Sequence, residues 1–257
     1  MSNIHSTAII SNKAEIGNDV SVGPHTIIED NVTIGDNCNI ASSALIASGS
    51  VLGKGVKVYH GAVIGTVPQD LKFGGEETKA IIGDNTVVRE YATINRGTDD
   101  KWETKVGANC LLMAYSHVAH DCLIGNNVIL ANSVNLAGHI EIGDYAIIGG
   151  IVPVHQFVKI GAHAMVGGGY RVPQDICPYS MSGGYPLKII GLNKIGLKRR
   201  GFSSESLKEL EKLYKLLFFS KLNTSQALER VESEVEKTAE VNIVLDFIKS
   251  SKRGLVK

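Results

Sequence analysis

An aliphatic residue recurs at every sixth position through most of the chain, and this period constrains the fold more than any other feature. From Ile4 to Ile64, from Ile82 to Ile94 and from Val106 to Val172, all 26 positions are Ile, Val or Leu. With apolar residues at 44%, chance placement would give this result roughly once in 10⁹ trials. The six-residue period therefore predicts a repeat architecture rather than a mixed globular fold.

The positions beside each aliphatic residue are also restricted. Glycine follows it in 12 of the 26 hexads, and a small or β-branched residue stands four positions after it. Six residues make one short strand and a corner, so three hexads, or 18 residues, return the chain to its starting direction as one coil of a triangular prism. We expect the aliphatic side chains to point inward and each coil to be stabilised by stacking on its neighbours. Glycine is expected at the corners because φ can be positive there.

Two polar segments, residues 66–81 and 99–105, interrupt the period and re-enter it in phase, so they are predicted to be loops. Loops on a rigid scaffold often carry function. The hexads end after residue 177. We therefore predict a prism domain over 1–186, including both loops, and a helical domain over 187–257.

The helical domain is predicted from apolar residues that recur at helical spacing. Ser203 or Ser204 is the expected N-cap of its first helix, and Thr224 the expected cap of the second. The third helix should carry the following apolar residues: Val241, Val244, Leu245 and Ile248.

The overall composition excludes several classes of protein. Lys and Arg total 26, as do Asp and Glu, so there is no basic excess of the kind that nucleic-acid binding requires. The N-terminal residues lack a secretory signal, and no apolar run approaches the ~18 residues of a membrane span. We therefore expect a cytoplasmic protein that does not insert stably into membranes. Cys38, Cys110 and Cys122 fall at inward small-residue positions, which favours free buried thiols over disulfides.

Five of the eight histidines lie within about three coils. Residues 18 apart should stack one strand spacing, ~4.8 Å, from each other. This places His120, Gly138 and Gln156 in one column, and Asp121 and His139 in the next. The predicted cleft is lined by His120, His139, His155 and Gln156, with a bare glycine amide between them.

This arrangement suits acyl transfer. His120 can accept a proton from a hydroxyl group near neutral pH, and the Gly138 amide can donate to a developing oxyanion. Asp121 could orient His120 if a chain corner lies between them, because neighbouring strand residues point to opposite faces. The alternative is that these histidines are simply solvated positions on the prism wall.

A zinc site is a further alternative, because three histidines and a water form a catalytic zinc centre. The spacing here is H-x-x-H followed by His139, which differs from the H-x4-H spacing of hexapeptide-repeat carbonic anhydrases. We therefore expect no metal.

A basic cluster lies at the junction of the two predicted domains, with no acidic residue between positions 187 and 200. It is either a solvated hinge or a contact for phosphate or an acidic partner. The cluster consists of Lys188, Lys194, Lys198, Arg199 and Arg200.

Six motifs in order resemble the UDP-N-acetylglucosamine acyltransferase family of hexapeptide-repeat enzymes, which begin lipid A biosynthesis. The motifs are PQDLKF, REYATINRGT, SHVAHDC followed by IGN, LAGH, VHQF followed by IGAH, and GLKRRGFS. The resemblance covers essentially the whole chain. It implies a left-handed β-helix, a homotrimer with active sites between prisms, and transfer of an R-3-hydroxyacyl chain from acyl carrier protein to the glucosamine 3-position. The phosphopantetheine thioester is then the acyl donor, and no other cofactor is expected.

The resemblance also implies roles for individual residues. His120 matches the general base and Gly138 the oxyanion donor, while Gly168 matches the position that sets acyl-chain length. The other matching positions are Asp70 and Lys72 in the first loop, His117, His139, His155 and Gln156 in the pocket, and Asn193, Arg199 and Arg200 for the nucleotide, the phosphopantetheine arm or the carrier.

Two departures leave alternatives open. Ile195 replaces an acid found two residues after the junction asparagine in one family pattern, and Pro186 replaces a histidine found in some members. The Ile195 difference allows a relative that acylates the 3-amino analogue of the sugar. A coenzyme A-dependent acetyltransferase and a non-catalytic β-solenoid also remain possible at this point.

Overall fold

The computed structural model describes residues 3–257; the first two residues of the predicted prism domain lie outside this part. The chain forms a left-handed parallel β-helix, as predicted, and four helices follow it. The strands are β1 Asn3–Ile4, β2 Ile9–Ile10, β3 Glu15–Ile16, β4 Ser21–Val22, β5 Ile27–Ile28, β6 Thr33–Ile34, β7 Asn39–Ile40, β8 Leu45–Ile46, β9 Ser50–Leu52, β10 Lys57–Val58, β11 Val63–Thr66, β12 Lys79–Ile82, β13 Val87–Val88, β14 Thr93–Asn95, β15 Glu103–Val106, β16 Leu111–Leu112, β17 His117–Val118, β18 Leu123–Ile124, β19 Ile129–Leu130, β20 Asn135–Leu136, β21 Glu141–Ile142, β22 Ile147–Ile148, β23 Pro153–Val154, β24 Lys159–Ile160, β25 Met165–Val166, β26 Ser180–Gly183 and β27 Lys188–Leu192.

Successive strands of the prism go to three sheets in turn, so every third strand pairs in parallel. Sheet 1 runs β1-β4-β7-β10-β13-β16-β19-β22-β25-β26-β27, sheet 2 runs β2-β5-β8-β11-β14-β17-β20-β23, and sheet 3 runs β3-β6-β9-β12-β15-β18-β21-β24. The chain turns between sheets at three corners, which we name the 1–2, 2–3 and 3–1 edges. Each edge is a vertical column of equivalent turn residues.

The aliphatic hexad positions form the interior, as predicted. From Val22 to Val172 every one of them is at most 4% exposed. The exceptions are in the first coil, where Ile4 is 47% exposed and Ile10 and Ile16 are partly exposed, because no coil covers them from below. Cys38, Cys110 and Cys122 are buried free thiols, as expected.

We expected glycine after the aliphatic residues because φ can be positive at the corners. This explanation is wrong at the 3–1 edge. All eight residues that follow a sheet 3 strand are glycines, and none has a positive φ. A Cβ added to any of them, such as Gly35, would lie 2.2–2.8 Å from an atom of the next coil. Close stacking therefore requires these glycines. The left-handed corner residues are mostly Asp, Asn, Ser, His and Tyr, for example Asp121 and His139.

Both predicted loops exist, although their bounds differ from the sequence prediction. The first spans 67–78, because β11 and β12 extend into the predicted segment. The second spans 96–102, because β14 ends at Asn95 and β15 begins at Glu103. Lys79 of β12 pairs with Glu103 of β15, so the two loop bases continue the sheet 3 ladder. Both loops leave sheet 2 and return to sheet 3, and therefore both emerge from the 2–3 edge.

The chain leaves the prism through the antiparallel pair β26 and β27, and four helices follow. They are α1 Lys194–Arg199, α2 Ser204–Phe218, α3 Thr224–Glu234 and α4 Ala239–Ser250. Ser203 caps α2, which confirms one of the two predicted residues. The cap of α3 is Asn223 rather than Thr224: its side chain accepts from Gln226 N, and the Gln226 side chain completes a capping box. The helix with Val241, Val244 and Leu245 buried is α4.

Among residues 3–257, no helix is long and apolar enough to cross a membrane.

Candidate active site

The histidine column lies on the 2–3 edge, where His117 of β17 pairs with Asn135 and Asn135 with Pro153. This register stacks His120, Gly138 and Gln156 as predicted. The backbone agrees, since the amide of the residue after Gly138 donates to His120 O, and the amide after Gln156 donates to Gly138 O. The hexad period therefore places these residues together without any other information.

His120 and Asp121 form a hydrogen-bonded pair across the corner. Nδ1 of His120 lies 2.8 Å from Oδ2 of Asp121. Asp121 adopts φ of 58°, which turns its side chain back towards the preceding imidazole. The corner that this pairing required is thus present, and a non-glycine residue occupies the left-handed region there.

Asp121 is a carboxylate although its side chain is fully buried. Burial by itself would raise the pKa of Asp121, but hydrogen bonds from Thr98 and His120 outweigh it and hold the pKa below its usual value. A carboxylate only accepts hydrogen bonds, so the proton of this pair lies on His120 Nδ1. The neutral imidazole then has an unprotonated Nε2, which is the atom a general base needs.

Because Gly138 has no side chain, it leaves the space that the His120 ring occupies. A Cβ at residue 138 would lie 2.6 Å from Cε1 and 2.7 Å from Nε2 of His120, so a side chain there would displace the imidazole. Within the described residues, the Gly138 amide forms no hydrogen bond to a protein acceptor. It is therefore free to donate to a ligand.

His139 borders the pair on its other side. Its ring meets His120 edge-on at a centroid distance of 5.0 Å and stacks on Phe157 at 4.5 Å. His139 Nδ1 lies 3.2 Å from a carboxylate oxygen of Asp100, in the second loop. The Phe157 ring thus fixes the plane of His139 and excludes water from one face of it.

His120, Asp121 and His139 could each offer one ligand atom to a metal ion, since these atoms lie within 4.8 Å of one another. However, both oxygens of Asp121 already accept hydrogen bonds from Thr98, and Oδ2 also accepts from His120. The hydrogen-bond network therefore accounts for this proximity without a metal.

The remaining pocket histidines lie on the same side of the prism. His117 Nδ1 is 2.7 Å from the Thr93 hydroxyl in the coil below. Burial, and then the nearby His120, lower the pKa of His117, so it is neutral at pH 7. His155 Nδ1 lies 3.2 Å from the carbonyl oxygen of Gln156, whose side chain is exposed.

A cavity of about 410 Å³ opens beside His139 and Phe157, and the C-terminal Lys252 and Arg253 line its far side. A larger cavity, of about 790 Å³, lies between the outer face of sheet 3 and α4 and contains none of the predicted site residues. Of the predicted site residues, the smaller cavity is lined only by His139, so it borders the histidine column rather than enclosing it.

Known protein families match the helical part of the chain and two segments of the prism. The family described as Udp N-acetylglucosamine O-acyltransferase, domain 2, matches residues 175–256, and the bacterial transferase hexapeptide (six repeats) family matches residues 13–48 and 103–138. An acyl-[acyl-carrier-protein]–UDP-N-acetylglucosamine O-acyltransferase of Sulfurihydrogenibium sp. (strain YO3AOP1) is 56% identical over 256 residues, which are 99% of this chain and 94% of the relative. This chain belongs to the UDP-N-acetylglucosamine O-acyltransferase family.

Solved structures of this family have the same fold over their full length. LpxA of Bacteroides fragilis 9343, a UDP-N-acetylglucosamine acyltransferase, is 48% identical with a TM-score of 0.97, covering 98% of this chain and 99% of that one. LpxA of Acinetobacter baumannii is 40% identical with a TM-score of 0.95, covering 99% of each chain.

The other residues singled out by family resemblance are not in this cluster. Gly168 lies on the 1–2 edge, stacked on Gly150. Asp70 and Lys72 are in the first loop, where Asp70 accepts the Lys72 backbone amide. The residues predicted to contact the nucleotide, the arm or the carrier are at the 3–1 edge. The Asn193 side chain donates a hydrogen bond to His163 O, and the Arg200 guanidinium lies 4.5 Å from the Tyr145 ring centroid. Arg199 is exposed at the end of α1.

One of the two residues that depart from the expected family pattern is also at this edge. Ile195 lies in α1, two residues from Asn193, and is 76% exposed. The residue that departs from the expected family pattern is therefore an exposed apolar side chain close to the junction asparagine.

Sequence reasoning missed the threonines that hold Asp121. Thr98 donates to both carboxylate oxygens, and the Thr104 hydroxyl accepts from the Asp121 amide at 2.8 Å. The second loop adds six residues to its coil, so equivalent strand positions there are 24 rather than 18 residues apart. The only signal was the position of the RGT sequence at the start of that loop.

Proposed function

We propose that this protein transfers an R-3-hydroxyacyl chain from acyl carrier protein to the 3-hydroxyl of UDP-N-acetylglucosamine, the first step of lipid A biosynthesis. The observation that carries the proposal is the pairing of His120 with the Asp121 carboxylate beside the unpartnered Gly138 amide. Together these residues supply a general base and an oxyanion donor in the same site. The names of the relatives supply the two substrates.

His120 is the general base. Its Nε2 takes the proton from the sugar hydroxyl as the oxygen attacks the thioester carbonyl, and Asp121 stabilises the imidazolium that forms. The carbonyl becomes an oxyanion, which the Gly138 amide stabilises. The carbon–sulfur bond then breaks, and His120 returns the proton to the phosphopantetheine thiolate. The ester and the free thiol are the products, and no acyl-enzyme forms.

The chain is proposed to act as a homotrimer. The proposed contact residues occupy all three edges of one prism: His120 on the 2–3 edge, Gly168 on the 1–2 edge and Arg200 on the 3–1 edge. A single pocket can use residues from different edges when the edge of one prism faces another prism. In that assembly His117, His139, His155 and Gln156 line the sugar site, and Asp70 and Lys72 contact the substrate from the loop.

The basic junction residues are proposed to meet the acidic donor. Arg199 is exposed, and Arg200 is held over Tyr145, so both guanidinium groups are placed at one edge of the prism. Acyl carrier protein is strongly acidic, and its arm carries a phosphate, so both are suited to guanidinium contacts. We place the reaction in the cytoplasm because acyl carrier protein and sugar nucleotides are made there.

The alternative acceptor is the 3-amino sugar analogue, which the exposed Ile195 near Asn193 keeps open. Mass spectrometry of products distinguishes the candidates when purified protein is offered both sugar nucleotides, R-3-hydroxyacyl carriers of graded length and acetyl-coenzyme A. The expected product is the 3-O-hydroxyacyl sugar nucleotide. Acylation of the amino sugar alone, or use of acetyl-coenzyme A alone, would overturn the proposal.

A further inference from the structure

We propose that Thr98 is a positioning residue for catalysis, holding the Asp121 carboxylate that orients His120. This inference rests on the proposed role of His120 as general base. It assigns a function to the second loop, residues 96–102, which otherwise only interrupts the repeat.

Thr98 contacts both oxygens of Asp121. Its backbone amide donates to Oδ1 at 2.9 Å, and its hydroxyl donates to Oδ2 at 2.6 Å. The same hydroxyl accepts from the amide of Asp100 at 3.3 Å, so its own proton is directed at the carboxylate. A buried carboxylate without donors would be costly, and Thr98 supplies two of its three side-chain hydrogen bonds.

Thr98 is itself held in place. It is 7% exposed, and the preceding residue, Gly97, is anchored on both sides. The Gly97 amide donates to Lys79 O, and the buried Thr78 hydroxyl donates to Gly97 O at 2.6 Å. The first loop ends at Thr78, so the bases of both loops are joined directly below the catalytic column.

The chain of contacts from Thr98 ends on the imidazole that carries the reacting nitrogen, Nε2. Oδ2 of Asp121 accepts from both the Thr98 hydroxyl and His120 Nδ1, so one oxygen atom fixes the plane of the imidazole. Without the hydroxyl, the carboxylate can rotate about its Cβ–Cγ bond, and Nε2 moves away from the substrate hydroxyl. Misplacing a base by about 1 Å costs on the order of 10²-fold in rate.

The test is steady-state kinetics of Thr98→Val and Thr98→Ser in the full-length protein with both substrates. The expected result for Thr98→Val is a kcat about 10-fold or more lower, the order expected for losing one hydrogen bond to a charged group, with KM values unchanged. Thr98→Ser keeps the hydroxyl and should restore most of kcat. Thr86→Val is the matched control, because Thr86 is a fully buried threonine with a donated and an accepted hydrogen bond at the 3–1 edge.

A double-mutant cycle separates positioning from mere stability. If Thr98 acts through the carboxylate, Thr98→Val should lower kcat no further once Asp121→Asn is present. Additive losses, or a loss with Thr98→Ser equal to that with Thr98→Val, would overturn the inference. Thermal melting of each variant checks the fold.

A different experiment, the activity of His120→Ala, tests the proposed function itself. If His120→Ala keeps full activity, the general-base mechanism is wrong whatever Thr98 does. If His120→Ala is inactive while Thr98→Val is fully active, the mechanism stands and only the role of Thr98 is rejected.

Discussion

The imidazole of His120 occupies the space into which a side chain at position 138 would project, since a Cβ on Gly138 would lie 2.7 Å from His120 Nε2. The backbone of Gly138 lies outside the left-handed region, so alanine there causes no dihedral strain. Position 138 therefore tests the placement of the base with little other disturbance.

Gly138→Ala should lower kcat by about 10²-fold, the order expected when a catalytic group is misplaced by about 1 Å. The protein should remain folded, because the added methyl group meets side-chain ring atoms rather than backbone. Kinetics and thermal melting on the same preparation check this. Wild-type kcat in a folded Gly138→Ala protein would show that the ring position is not critical.

Gly168 gives a second prediction, on product length. It is exposed on the 1–2 edge, where a Cβ would lie 3.1 Å from Gly150 O, so a larger side chain must extend outwards into the space proposed for the acyl chain. Gly168→Met should shift the preferred donor to shorter R-3-hydroxyacyl chains. Competition between carriers of graded length, read by mass spectrometry, measures the shift; an unchanged preference would place the chain elsewhere.

The repeat made the prism and the stacking of His120, Gly138 and Gln156 predictable. In a coil of fixed length, residues 18 positions apart in the sequence lie directly above one another. The prediction failed where that spacing changes. The second loop puts Thr98 next to Asp121, 23 residues away, which no count of hexads indicates. Helix α1 was also not predicted, because it is six residues long and buries only Leu197.

The corner residues show a second limit. Asp121 and His139 take positive φ, a conformation that sequence reasoning assigned to glycine. Stacking along the edge compensates for the conformational cost, as in the Tyr145–His163 ring pair at 4.9 Å. Such compensation comes from the neighbouring coil and is not visible in a local window of sequence.

The four cysteines give a chemical prediction. All are buried, and burial raises the pKa of Cys122 to about 12 and that of Cys177 further still. A thiol rather than a thiolate is unreactive, so a thiol reagent at pH 8 should label none of them in the native protein. Four equivalents should react after unfolding in denaturant. Rapid native labelling would mean that the prism opens locally.

The last prediction concerns pH and His163, which packs between Tyr145 and Tyr179 at the 3–1 edge. Burial, and then the charge of Arg200, lower the pKa of His163, although Asp144 opposes them. Just below pH ~6.5 the unfolded chain therefore binds more protons than the folded one, so stability must fall as the pH falls. His163→Phe keeps the ring stack and should reduce the drop in melting temperature between pH 7.5 and 5.5, both values being about one unit from the ordinary histidine pKa. Part of the drop should remain because the pKa of His117 is also lowered. His25→Phe, at an exposed left-handed corner, is the control and should keep the wild-type slope. Equal slopes in all three proteins would show that His163 does not couple protonation to folding.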